Sequence, residues 1–102
     1  MQFDTHAEPP YWTFQGIRYR VTIAASTYKH GRTDDDVWAV LDNPLRWTMD
    51  GTDAHGHERV MVLGIDTHGN GTEVLALLDE QTRAVIVHAH KPTAHTRKLL
   101  GR

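Results

Sequence analysis

At 102 residues the chain is long enough for one hydrophobic core and too short for two. Hydrophobic residues make up 39% and charged residues 24%, no apolar run approaches the roughly 18–20 residues that span a bilayer, and the lack of cysteine excludes disulfides, thiolate nucleophiles and Cys-type zinc sites. The net charge of −2 argues against a dedicated nucleic-acid binder, but Lys91 to Arg102 holds four bases and no acid, so a local anion-binding surface remains open.

Residues 1–16 are predicted to be an extended or loose lead-in, with Pro9-Pro10 at its middle and Tyr11, Trp12 and Phe14 packing it against the remainder; residues 17–102 form a single domain. No signal-peptide order of charged, apolar and small residues opens the chain, which predicts a cytoplasmic protein with no membrane partner. Ile17 to Thr22 alternates with the period of a half-buried strand. Ile23 to His30 is predicted as a short helix ended by Gly31. Thr33 then caps a second helix whose first turn holds Asp34, Asp35 and Asp36, whose apolar stripe is Val37, Val40 and Leu41, and which stops at Asn43-Pro44.

Leu45 to Met49 is a candidate strand, and Asp50 to His57 a loop. Arg59 to Ile65, Thr72 to Leu78 and Ala84 to His90 are apolar strands joined by short polar turns, which reads as an antiparallel meander. In the last of them strict alternation puts Val85, Val87 and Ala89 on one face and Ile86, His88 and His90 on the other, and Pro92 ends the ladder. Thr93 caps a short terminal helix over Ala94 to Leu100.

His55-Gly56-His57 and His88-Ala89-His90 have the spacing of paired strand ligands, but no carboxylate sits at a diagnostic distance in sequence. No metal and no other cofactor is therefore expected. Glu58-Arg59 offers a proton acceptor beside a phosphate-binding guanidinium, and Lys29-His30 a cation beside a titratable ring. Together with His88, His90 and Arg97 these suit metal-free RNA cleavage, which needs a base for the ribose 2′-hydroxyl, cations for the phosphate and an acid for the leaving oxygen.

The order Lys29-His30-Gly31, a capped helix through Val37 to Leu41, Asn43-Pro44, Glu58-Arg59 leading an apolar strand, a strand around Glu73-Val74, Val85 to Ala89 and a basic terminal helix resembles the BrnT-type toxins of bacterial toxin-antitoxin pairs. These belong to the RelE/ParE-like superfamily. The resemblance covers roughly residues 17–100. It implies an α+β, RelE-like fold: an antiparallel sheet meander with two short N-terminal helices and a short C-terminal helix. It also implies an mRNA endoribonuclease that inhibits translation, acting on free or ribosome-bound mRNA, a cognate antitoxin as partner, and contact with DNA only through the antitoxin complex.

On this reading Glu58 or His30 is the base and His88 or His90 the acid. Lys29, Arg59 and Arg97 hold the phosphate, and Lys91 and Lys98 extend the substrate-binding surface. The family pattern often has an arginine where this chain has His90. The alternative is a catalytically inactive or gyrase-directed binding module of the same superfamily.

Overall fold

A computed structural model of the chain describes residues 10–99. Six strands, β1 (Tyr11–Phe14), β2 (Ile17–Ile23), β3 (Arg46–Thr52), β4 (Glu58–Ile65), β5 (Gly71–Leu78) and β6 (Arg83–His90), form one sheet in the order β1-β2-β6-β5-β4-β3. A 3-10 turn (Ala25–His30) and helix α1 (Asp34–Asp42) lie between β2 and β3, and α2 (Ala94–Leu99) follows β6. Leu100 of the expected terminal helix is outside the described residues.

This architecture corrects the RelE-like, all-antiparallel expectation. The described residues open on a β-hairpin, not on helices, and β2 joins β6 in parallel, so the sheet is mixed. The first of the two expected helices is a 3-10 turn. The sheet curls into a half-barrel: Phe14 on one edge strand meets Trp47 on the other edge-to-face, with ring centroids 4.8 Å apart. The concave side holds the core, where Val37, Val40 and Leu41 of α1 pack with Trp12, Tyr19, Val60, Val62, Val74 and Ile86.

Local chemistry explains each element. Gln15 and Gly16 both have positive φ, as a two-residue turn matching the twist of β1 and β2 requires. Thr33 and Asp36 form a reciprocal capping box at the start of α1. The other oxygen of Asp36 accepts from the Thr67 backbone N–H and hydroxyl, tying α1 to the β4–β5 turn. Burial raises the Asp36 pKa, but the Thr67 and Thr33 hydrogen bonds outweigh it and hold the carboxyl at about 2.

The three hairpins β3–β4, β4–β5 and β5–β6 share one device. Asp53, Asp66 and Asp79 stand thirteen residues apart in sequence. Each accepts, through its carboxylate, the backbone N–H groups two and four residues on. Each also donates its own N–H to the carbonyl four residues on. The position three residues on is left-handed in all three: Gly56 (φ 83°), Gly69 (φ 81°) and Thr82 (φ 56°).

Thr82 is the exception to glycine there, and a β-branched residue is strained in that region. We expect Thr82→Gly to stabilise the protein by about 0.5–1 kcal/mol, seen as a thermal midpoint raised by about 2–6 °C. A midpoint unchanged or lowered would contradict the shared-turn account.

The strand β5 is buried on both sides. Val74, Ala76 and Leu78 face the core, and Glu73 and Leu75 face α2 and the convex side. Val87 carries a bulge: Leu75 pairs with His88 but Ala76 pairs with Ile86. The extra residue reverses the phase of β6. Ala84 and Ile86 before it and Ala89 after it all face the core, which corrects the expectation that Ile86 shares a face with the histidines. His88 and His90 project from the convex side.

Candidate functional site

The antiparallel register places Glu73 opposite His90, and Leu75 opposite His88. Side chains across such a pair stand about 5 Å apart, so the carboxylate falls beside both imidazoles. His88 Nε2 lies 2.7 Å from Glu73 Oε2, and His90 Nε2 lies 3.9 Å from the same oxygen. The His88 and His90 rings are edge-to-face with centroids 3.6 Å apart.

A third imidazole arrives from the 3-10 turn. The Ser26 and Thr27 hydroxyls donate to the carbonyls of Val87 and Ile86, each at 2.8 Å, and the Ala24 N–H donates to Ile86 as well. The bulge thus exposes carbonyls that the turn satisfies, and the turn is pinned there. Gly31, with φ 83°, ends it and donates its N–H to the Tyr28 carbonyl. Arg32 fixes the exit by donating to the Thr72 hydroxyl and the Gly71 carbonyl. His30 is thereby held with its ring centroid 4.8 Å from that of His90 and 6.5 Å from that of His88. Lys29 and Lys91, the chain neighbours of His30 and His90, are exposed.

Glu73 is 2% exposed at its side chain. Burial pushes its carboxyl up, but hydrogen bonds from His88, Thr96 and the Thr93 N–H, with the attraction of His88, outweigh this and bring it down to about 2. A carboxylate held ionised can only accept, so His88 carries its proton on Nε2. The His90 Nδ1 faces the Lys91 carbonyl at 2.6 Å, which also only accepts, so Nδ1 carries a proton and Nε2 is turned toward Glu73. The pKa of His30 lies below the ordinary histidine value, through partial desolvation and then the nearby His90, His88, Lys29 and Arg32. His30 is therefore a neutral acceptor at neutral pH.

The structure brings together His30, His88 and His90 of the expected set, with Lys29 alongside. It does not bring Glu58 to them. Glu58 pairs with Leu78, five residues along β4 from Leu63, which pairs with Glu73, a separation of about 17 Å along the sheet. There it lines a surface concavity with His57, Asp79, Glu80 and Arg83, where acids outnumber the base and a phosphate finds little attraction. Arg59 turns to Asp50, donating to its carboxylate at 3.3 Å and to its carbonyl at 3.1 Å. Arg97 donates to the Pro92 carbonyl, and Lys98 is exposed on α2. His55 and His57 belong to the β3–β4 turn, where Asp53 engages the His57 ring at 3.0 Å.

Sequence reasoning placed Glu73 only in a strand and Thr93 only as a helix cap, and did not name Thr96 or Arg32. Glu73 carried a signal: an acid inside an otherwise apolar strand needs a buried partner. Which partner it meets depends on strand register, and that is not written in any local pattern. No family model, curated protein or solved structure matches the chain.

Proposed function

We propose that the chain is an endoribonuclease that cleaves RNA by general acid–base catalysis, acting as the toxin of a toxin-antitoxin pair on mRNA. One observation carries the chemistry: three imidazoles converge at the end of β6, one of them backed by a buried carboxylate. The toxin role is supported by the order of short motifs from Lys29-His30-Gly31 to the basic segment after His90.

His30 takes the proton of the ribose 2′-hydroxyl as that oxygen attacks phosphorus. His88, oriented by the Glu73 carboxylate, gives a proton to the departing 5′-oxygen. Their ring centroids, 6.5 Å apart, leave room for one phosphorus between them. Lys29 and Lys91 supply positive charge to the pentacoordinate phosphate, and His90 orders the two flanking rings. The products are a 2′,3′-cyclic phosphate and a 5′-hydroxyl. A cognate antitoxin is the expected protein partner. No helix among the described residues is long and apolar enough to cross a membrane.

The test is incubation of the purified chain with mRNA in EDTA, with and without ribosomes, followed by end-group analysis. Cyclic-phosphate and 5′-hydroxyl ends are expected, and His30→Ala should suppress them. Intact RNA in both preparations overturns the reading. Loss of cleavage in Glu58→Gln with His30→Ala still active would return the base role to Glu58.

A further inference from the structure

The cluster has a property that proton transfer does not use: a carboxylate and two imidazoles converge on one point. One donor atom from each of Glu73, His88 and His90 lies within 4.8 Å of the other two. A tetrahedral ion with bonds of about 2.0–2.1 Å holds its donor atoms about 3.3 Å apart. The Glu73 Oε2 separations from His88 Nε2 and His90 Nε2, 2.7 and 3.9 Å, fall on either side of that value. Shifts of about 0.6 Å in each would satisfy it.

Three imidazoles on one such ion stand with ring centroids about 5 Å apart, and here the spacings are 3.6, 4.8 and 6.5 Å. The outer parts of the site are also in place. The Thr93 N–H and hydroxyl engage the other carboxylate oxygen, Oε1, which leaves Oε2 facing the rings. Imidazole-rich donor sets select first-row transition ions over magnesium or calcium.

We infer that Glu73, His88 and His90, closed by His30, bind a divalent transition ion of the zinc class. The ion enters between Oε2 and the two Nε2 atoms. It replaces the hydrogen that joins Glu73 to His88, and a neutral His88 ring then carries its single proton on Nδ1. An imidazole ligated through one nitrogen cannot become an imidazolium. On the ribonuclease reading above, on which this consequence rests, the bound ion therefore removes the acid and stops cleavage. The group Asp36, Asp66 and His68 is different: Thr33, Thr67, Asn70 and Thr72 already occupy both its carboxylates.

The full chain without an affinity tag, stripped with EDTA and dialysed, is titrated with zinc chloride by calorimetry and with cobalt chloride by visible absorption. One ion per chain is expected, with the intense absorption of tetrahedral cobalt. His88→Ala and His90→Ala should each weaken zinc binding by at least about tenfold, while the His55→Ala, His57→Ala double variant keeps it. Absence of binding, binding indifferent to His88→Ala and His90→Ala, or binding lost with His55 and His57 overturns the site. In a parallel assay, saturating zinc should abolish RNA cleavage. Unaltered cleavage by the zinc-loaded chain overturns the inhibitory role alone. A chain that never cleaves RNA fails the ribonuclease reading, and the titration still decides the metal site.

Discussion

On the proposed ribonuclease reading, His88→Ala should slow RNA cleavage by about 10²–10⁴-fold, the usual worth of a positioned general acid. The expectation rests on the Glu73–His88 contact of 2.7 Å, which fixes the ring orientation. The role can be separated from a structural one by changing the leaving group. Uridine 3′-(p-nitrophenyl phosphate) keeps the 2′-hydroxyl nucleophile but releases a phenolate that needs no proton. His88→Ala should cleave it at nearly the wild-type rate, whereas His30→Ala, lacking the base, should be slow on both substrates. Equal losses on both substrates for His88→Ala would remove the acid assignment.

A large effect on stability belongs to Glu73. Its carboxyl is held at about 2 in the folded protein against 4.5 ordinarily. A lowered folded pKa contributes stability that is complete above the unfolded value and disappears as pH falls toward the folded one. The contribution is about 3 kcal/mol at neutral pH, fading below about pH 4.5 and absent near pH 2. Against a total of roughly 5–15 kcal/mol this is a large share.

Glu73→Gln keeps the volume and an acceptor for the Thr93 N–H but removes the charge. It should be about 2–3 kcal/mol less stable than wild type at pH 7, with the difference shrinking on acidification. Glu73→Ala should cost more, because it adds a cavity and leaves the Thr93 N–H without its acceptor. Urea denaturation of the three proteins at pH 7 and pH 3 measures both effects. Parallel acid profiles for wild type and Glu73→Gln would refute the account.

Much of the local structure was legible in the sequence. The apolar runs Arg59 to Ile65, Thr72 to Leu78 and Ala84 to His90 coincide closely with β4, β5 and β6, and Thr33 caps α1. Three features were not legible, for physical reasons. The strand β1 lies in a lead-in whose Pro9-Pro10 argued for irregular structure, yet Trp12 and Phe14 are buried by pairing with β2 and packing on the core. The parallel β2–β6 pairing joins segments far apart in the chain, and no local period encodes it. The bulge at Val87 breaks the alternation on which the assignment of faces depended.

The site divides along the same line. His88 and His90 share a face as their spacing requires, and the sequence also singled out His30. What joins them is tertiary: the Ser26 and Thr27 hydroxyls on the β6 carbonyls, and Glu73 supplied by register. Glu58 and Arg59 were attractive as a dipeptide, but a strand sends adjacent side chains to opposite faces. Arg59 is drawn to Asp50 on β3, while Glu58 stays at the far end of β4.

The repeated aspartate turn bears on the order in which the chain folds. Each of the three hairpins closes over only five residues, a small entropic cost that can be met early. The β2–β6 ladder, which joins Arg20 to Arg83, must wait for a far longer loop to close. His30 ends the 3-10 turn that follows β2, so its ring reaches His88 and His90 only after that ladder forms. In pulse-labelled hydrogen exchange, amides of β4 and β5 should gain protection before those of β2. The three imidazoles then meet only once the sheet is complete, and a partly folded chain lacks the assembled candidate site.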